Sequence, residues 1–121
     1  MSSSTPGNLQ PHERMAVEDC VARLHQTLGD ELTGLWLFGS KARGDADLDS
    51  DIDLLVVIDT LDWRLRDTIQ GIGAECSLQY DVLFNTHILD QAHWDEEVRY
   101  QGTLWREIQR DGVSLLLERT L

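Results

Sequence analysis

Apolar and polar positions along this chain change period several times, and each change marks an element. From Pro11 to about Leu28, Met15, Val17, Val21, Leu24 and Leu28 recur at steps of three and four. That spacing predicts an amphipathic helix, with Pro11 in its first turn and Gly29 at its stop. Leu35-Trp36-Leu37-Phe38 is a continuous apolar run closed by Gly39, the pattern of a strand buried on both faces. Ser40 to Arg43 is expected as a helical turn ended by Gly44, followed by a loop over 45–50. Asp51 to Ile58, rich in Ile, Leu and Val, reads as a second strand. A helix is expected from about Leu61 to Ser77, with Trp63, Leu65, Ile69, Ile72 and Cys76 on one face. A third strand is expected over Leu78–Phe84, "LQYDVLF". Helix resumes near Ile88, and a further segment runs from about Thr103 to Arg110 and stops at Gly112. The final "VSLLLE" suits a short strand or a helical turn.

Spacing then constrains topology. Ten residues separate Ser40 from Asp51, fewer than the dozen or more that a parallel crossover needs. The first two strands are therefore expected as antiparallel neighbours, so that Gly39-Ser40 and Asp51 meet at one edge of the sheet. Alternation puts Asp51 and Asp53 on one face, roughly 6.6 Å apart along the strand. Ile52, Leu54, Val56 and Ile58 take the opposite face. The class this predicts is α/β (α+β), a small mixed and partly antiparallel sheet flanked by helices.

Length and composition narrow the picture. The 121 residues suit a single domain over 11–121, preceded by a polar, disordered arm over 1–10. No apolar run approaches the roughly 20 residues of a membrane span. The formal charge is −12, from 22 acids and 10 bases. Such a surface repels nucleic-acid phosphates and suits a basic protein partner or divalent cations. Cys20 and Cys76 lack metal-ligand spacing and read as buried free thiols in a reducing cytoplasm. Lys41 is the only lysine, and it lies between the first two strands.

The acids between those strands carry the chemistry. Two carboxylates fixed as close as Asp51 and Asp53 repel, and a divalent cation between them would relieve that repulsion. Mg²⁺ takes one or two carboxylates and leaves room for water and phosphate oxygens. A third carboxylate on a neighbouring strand would complete a two-metal site. Asp81 is the candidate, because it is the only acid in "LQYDVLF" and a lone buried carboxylate is costly. The competing reading of the pair is a polar strand entrance. A calcium loop fails: started at Asp45, it puts Ser50 and Val56 where glycine and glutamate are required, and started at Asp47 it puts Ile52 and Ile58 there. Gly39 would let the backbone approach a phosphate, and Ser40 would donate to it. Lys41 and Arg43 add positive charge, or are ordinary surface bases. The loop is neither a Walker motif nor a nucleophile elbow. His12, His25, His87 and His93 show no ligand spacing. Trp36, Trp63, Trp94 and Trp105 read as core first.

These residues resemble a known signature. "FGSKARGDADLDSDIDLLV" is similar to that of the DNA polymerase β-like nucleotidyltransferase superfamily, a hydrophobic-Gly-Gly/Ser followed by Asp-hydrophobic-Asp/Glu-hydrophobic. Here it stands as Phe38-Gly39-Ser40 and Asp51-Ile52-Asp53-Leu54, and "QYDVLF" supplies Asp81 as the third acid. "GSKARG", "SDIDL" and the ending "LWREIQRDGVSLLLE" look like the minimal nucleotidyltransferases, over roughly residues 11 to 118. The resemblance implies the polymerase β-like fold. It also implies that Asp51 and Asp53 bind two Mg²⁺ ions, one carrying the triphosphate of ATP, and that Asp81 binds the catalytic ion and helps activate an acceptor hydroxyl. Gly39 and Ser40 would grip the β- and γ-phosphates, assisted by Lys41 and Arg43. The family more often has arginine at position 41, and lysine keeps the charge without the bidentate fork. Larger relatives add an acceptor-holding domain, which is not expected here. The implied acceptor is a tyrosine of a HEPN-domain toxin, with this chain as the cytoplasmic antitoxin transferring AMP. Two alternatives stay open: a noncatalytic module that blocks its partner by occlusion, and a small-molecule transferase of the aminoglycoside-modifying kind. Homo- and hetero-oligomers are both compatible.

Overall fold

The computed structural model describes residues 9–43 and 51–117. The first helix, α1 (Pro11–Leu28), has the expected bounds. Its start is held by a capping box, in which the Gln10 side chain and the Glu13 carboxylate each satisfy a free backbone N–H at the helix entry. Leu9, two residues before α1, is buried in the main core. The rest of the arm, residues 1–8, lies outside the described residues, as does the predicted loop over 45–50 with Gly44.

A single 3₁₀ turn (Gly29–Glu31) leads into β1 (Leu32–Phe38). The short α2 (Ser40–Arg43) follows, and β2 spans Ile52–Ile58. The two strands pair antiparallel, with Phe38 opposite Asp53 and Leu37 opposite Leu54, as the short connection required. After β2 the chain crosses over through α3 (Trp63–Tyr80) to β3 (Phe84–Asp90), which pairs parallel with β2. The helices α4 (Gln91–Arg99) and α5 (Thr103–Asp111) come next, and β4 (Val113–Ser114) adds to the far side of β1. Among the described residues the sheet order is β3-β2-β1-β4, a mixed sheet of the kind expected.

Two apolar layers follow from the pleat. Ile52, Leu54, Val56 and Ile58 face one way, join Leu35 and Leu37, and pack against α1 and α3 through Val17, Cys20, Leu24, Ile69 and Cys76. Leu55 and Val57 face the other way and join Phe38, Trp94 and Ile108, with Trp36, Leu104 and Trp105 packed alongside. The strands are thus apolar on both faces, as their unbroken runs indicated, and each buried aliphatic side chain contributes about 1.5–3 kcal/mol. Cys20 and Cys76 are buried free thiols on α1 and α3. Trp63, by contrast, is exposed at the start of α3.

The segment "LQYDVLF" departs from its sequence reading. The structure continues α3 through Tyr80 and ends it at Asp81, in the left-handed conformation (φ 56°, ψ 51°). The predicted strand over Leu78–Phe84 is replaced by β3, which starts only at Phe84. The reason lies in what each side chain reaches. Leu78 is 86% exposed and Leu83 63%, so this run is not a buried strand. Tyr80 turns toward α1, where its hydroxyl donates to Asp19 Oδ2 at 2.8 Å.

Candidate active site

Asp53 stands on the sheet face that α4 and α5 cover further along, at the end they leave open. Its carboxylate is held on two sides. Oδ1 accepts from Asn85 Nδ2 at 2.9 Å, across the β2–β3 register that pairs Asp53 with Asn85. On the β1 side lies Gly39, with φ +80°, where an added Cβ would overlap Asp53 Oδ2. Glycine is required at this point twice over, for its positive φ and for the close approach of backbone to carboxylate. Asp51, one residue before β2 and two before Asp53, is exposed. Alternation puts it on the same face, as expected.

Ser40 opens α2 directly after Gly39 and is partly buried, and the Ala42 N–H closes the turn onto Gly39 O at 3.1 Å. The structure therefore brings Gly39, Ser40, Asp51 and Asp53 to one end of the sheet. Phe38 is the β1 partner of Asp53, and its ring lies 5.3 Å from that of His87 on β3, so the floor beside the acids is aromatic.

Two predicted site residues are placed differently. Asp81 is not in a strand among apolar neighbours; it is an exposed helix C-cap whose backbone N–H donates to Ser77 O. It shares the sheet end with Asp51, since Ile52 N donates to Leu83 O at 2.8 Å. Among the described residues, however, no three His, Cys, Asp or Glu side chains gather as a metal site, so the three-acid cluster is not assembled. Lys41 does not line the loop surface either. Its Nζ lies 2.6 Å from Glu13 Oε2, and both side chains are almost wholly buried, at 3% and 4% exposure. Glu13 thus bonds the backbone of Gln10 with one oxygen and Lys41 with the other, tying α2 to the start of α1. The side chain of Arg43, also predicted to assist, lies outside the described residues.

Two residues of the site were not read from the sequence. Glu13 had a signal, the Gln10-x-x-Glu13 capping spacing just before an apolar stripe. Asn85 had none, because its place beside Asp53 depends on the parallel register of a strand that the sequence put elsewhere.

The remaining chemistry is that of oxygen donors. Asp53 is pinned in orientation with the side-chain-free backbone of Gly39 against it, and Asp51 is open to solvent. That set suits a hard divalent cation, which takes one or two carboxylates and leaves positions for phosphate oxygens. A small sheet with paired acids opposite a Gly-Ser turn defines a phosphoryl-handling class of protein. The comparisons carry this to a family: residues 15–101 match the model of the nucleotidyltransferase domain, and the chain belongs to that family. A candidate protein adenylyltransferase of Methanocaldococcus jannaschii is 39% identical over 59 residues, 48% of this chain, which spans only 60% of that relative's length. Among solved structures, a toxin–antitoxin complex with AMP-PNP superposes with a TM-score of 0.53 at 23% identity, covering 84% of this chain and 74% of that one. A mutant MntA–HpeT toxin–antitoxin structure superposes at 0.51 and 23%, covering 84% and 73%. These likenesses support the fold. Among the described residues, no helix is long and apolar enough to cross a membrane.

Proposed function

We propose that this chain transfers AMP from ATP to a hydroxyl of a protein partner, a tyrosine of a HEPN-type toxin, and acts as the antitoxin of the pair. The observation that carries the transferase reading is the Asp53 carboxylate wedged between Gly39 and Asn85, with Asp51 on the same face. The adenylyltransferase name of the relative and the toxin–antitoxin neighbours support the nucleotide and the kind of partner. With a charge of −12, the chain complements a basic, RNA-handling surface.

In the proposed reaction the acceptor oxygen bonds to the α-phosphorus and the bond to the bridging β-oxygen breaks. Pyrophosphate leaves with the electron pair, and the hydroxyl proton passes to solvent. Asp51 and Asp53 would hold Mg²⁺, which when bound supplies charge neutralisation for the triphosphate. Gly39 admits the phosphate chain close to the backbone, and Ser40 offers a hydroxyl donor at the start of α2. Lys41 acts from beneath through Glu13 rather than on the phosphate.

The test is transfer of labelled AMP from ATP with Mg²⁺ to the product of the neighbouring gene. Asp51→Asn/Asp53→Asn is expected to lose about a thousandfold in rate, the scale of removing a preorganised electrostatic contact. Undiminished transfer in that variant refutes the site. Protection of cells by the same variant would favour the second reading, neutralisation by occlusion, for which exposed Leu116 and Leu117 at the C-terminal end offer apolar surface.

A further inference from the structure

An in-line displacement has two sides, and the strand order assigns them. The Gly39-Ser40 turn follows β1 on one side of Asp53, and β3 lies on the other. With the triphosphate on the turn, pyrophosphate leaves over β1 and the attacking oxygen arrives over β3. The face that β3 turns toward the acids is read from its pleat. Val82 and Phe84 pack on the layer against α1 and α3, and Leu89 joins the opposite layer. Leu83, Asn85 and His87 therefore stand on the face of Asp53. Leu83 is 63% exposed at the sheet end, where its carbonyl accepts from the N–H of Ile52, the residue after Asp51. His87 is half-buried, with its ring 5.3 Å from that of Phe38. Along the strand the two are roughly 13 Å apart, room for a tyrosine side chain to lie between them.

We propose that Leu83 and His87 wall the acceptor subsite and select an aromatic hydroxyl, the phenol of a tyrosine, presented by a basic protein segment. This deepens the transferase reading above and rests on it. A single exposed leucine is ordinary on a protein surface. Leu83 differs because the strand fixes it beside the acids, on the side where the nucleophile must arrive. A serine or threonine hydroxyl gains little from an apolar wall. A phenol buries its ring against leucine and imidazole while its oxygen reaches the α-phosphorus. That oxygen bonds to phosphorus, pyrophosphate leaves, and the phenol proton passes to solvent. Asn85 stands between the two walls with its amide held against Asp53. Asp51 and Asp81 are exposed acids at the same sheet end. An apolar centre with a charged rim is the common build of a protein contact, and an acidic rim favours basic residues flanking the acceptor tyrosine.

The experiment follows transfer of labelled AMP from ATP with Mg²⁺ to the product of the neighbouring gene. It locates the label by mass spectrometry and obtains KM for ATP and for the acceptor protein separately. Wild type is expected to label a tyrosine. Leu83→Ser and His87→Ala should each raise the acceptor KM about tenfold, the scale of losing one apolar contact, and leave KM for ATP within about twofold. Leu83→Met and His87→Phe should keep the acceptor KM within about threefold of wild type. Loss of folded protein would lower kcat and leave both KM values, so it does not mimic this split. Label on a serine or threonine overturns the subsite. So does an unchanged acceptor KM in either Leu83→Ser or His87→Ala, or an equal rise in KM for ATP. These outcomes leave the transferase reading standing. Wild type that binds AMP-PNP with Mg²⁺ and transfers no AMP overturns that reading and the subsite with it.

Discussion

Single positions at this sheet edge are decided by backbone conformation as much as by charge. Gly39 combines φ +80° with a Cβ direction that runs into Asp53. Gly39→Ala is therefore expected to displace the carboxylate and lower the transfer rate about a hundredfold, the effect of misplacing a reacting group by roughly an ångström. AMP transfer under saturating ATP measures it, and a rate within twofold of wild type contradicts the wedge. Asp81 is the contrasting case. Its φ of 56° is one that glycine adopts freely and branched residues do not. Asp81→Gly should leave stability within about 0.5 kcal/mol, while Asp81→Val should cost about 1–2 kcal/mol. Urea midpoints of the two variants test this. If Asp81→Gly instead folds normally and abolishes transfer, Asp81 returns to the site as the third acid that the sequence suggested.

Between elements, the buried Glu13–Lys41 pair is the contact that sets the turn after Gly39 on α1. Glu13 also closes the capping box at Gln10, so one carboxylate joins the entry of the first helix to the turn after β1. Breaking a buried pair from one side costs about 3–5 kcal/mol, because the remaining charge is left without compensation. Lys41→Met should fall in that range. Glu13→Gln/Lys41→Met keeps an acceptor for the Gln10 N–H and removes both charges, so it should recover most of the loss. Urea unfolding of the single and double variants separates this from an exposed base, whose removal changes stability by no more than about 0.5 kcal/mol. This placement is not legible from the residues around the lysine. Its neighbours in sequence are a glycine turn and acids, but its partner lies 28 positions earlier on another element.

Across the whole molecule, α1 and α3 are tied by a polar cluster above the buried cysteines. Arg23 bonds Asp19 at 3.0 Å, Glu75 at 3.3 Å and Gln79 at 2.7 Å, and Tyr80 donates to Asp19. The Arg23 guanidinium, and then the Tyr80 hydroxyl, hold the Asp19 carboxyl below its ordinary value. The same bond to Asp19, followed by burial, pushes the Tyr80 phenol above its ordinary value. The Asp19 contribution is present above the unfolded carboxylate pKa and is lost as pH falls through the folded one. The Tyr80 contribution is present below the unfolded phenol pKa and is lost as pH rises through the folded one. Thermal midpoints followed against pH should therefore decline at both ends. In Asp19→Asn both limbs should flatten, and an unchanged acid limb in that variant contradicts the tie.

Much of this architecture was legible in the residue order. The bounds of α1, the strand around Trp36, the helical turn at Ser40, the antiparallel pairing and the shared face of Asp51 and Asp53 all follow from period and spacing. These are local or short-range constraints, set by the two-residue repeat of strands, the 3.6-residue repeat of helices and the reach of a ten-residue connection. The surroundings of the acids were not legible in the same way. Whether "LQYDVLF" pairs as strand or finishes a helix depends on Tyr80 finding Asp19 across the helix pair. That three-residue difference moves Asp81 to a helix cap and brings Asn85 beside Asp53. A one-residue change of register reverses which side chains face the site, and no local period encodes it. The sequence alone determined α1, the first two strands with their antiparallel pairing, and the shared face of Asp51 and Asp53; only the tertiary structure decided where α3 ends and which side chains surround that pair, because those contacts join segments far apart in the chain.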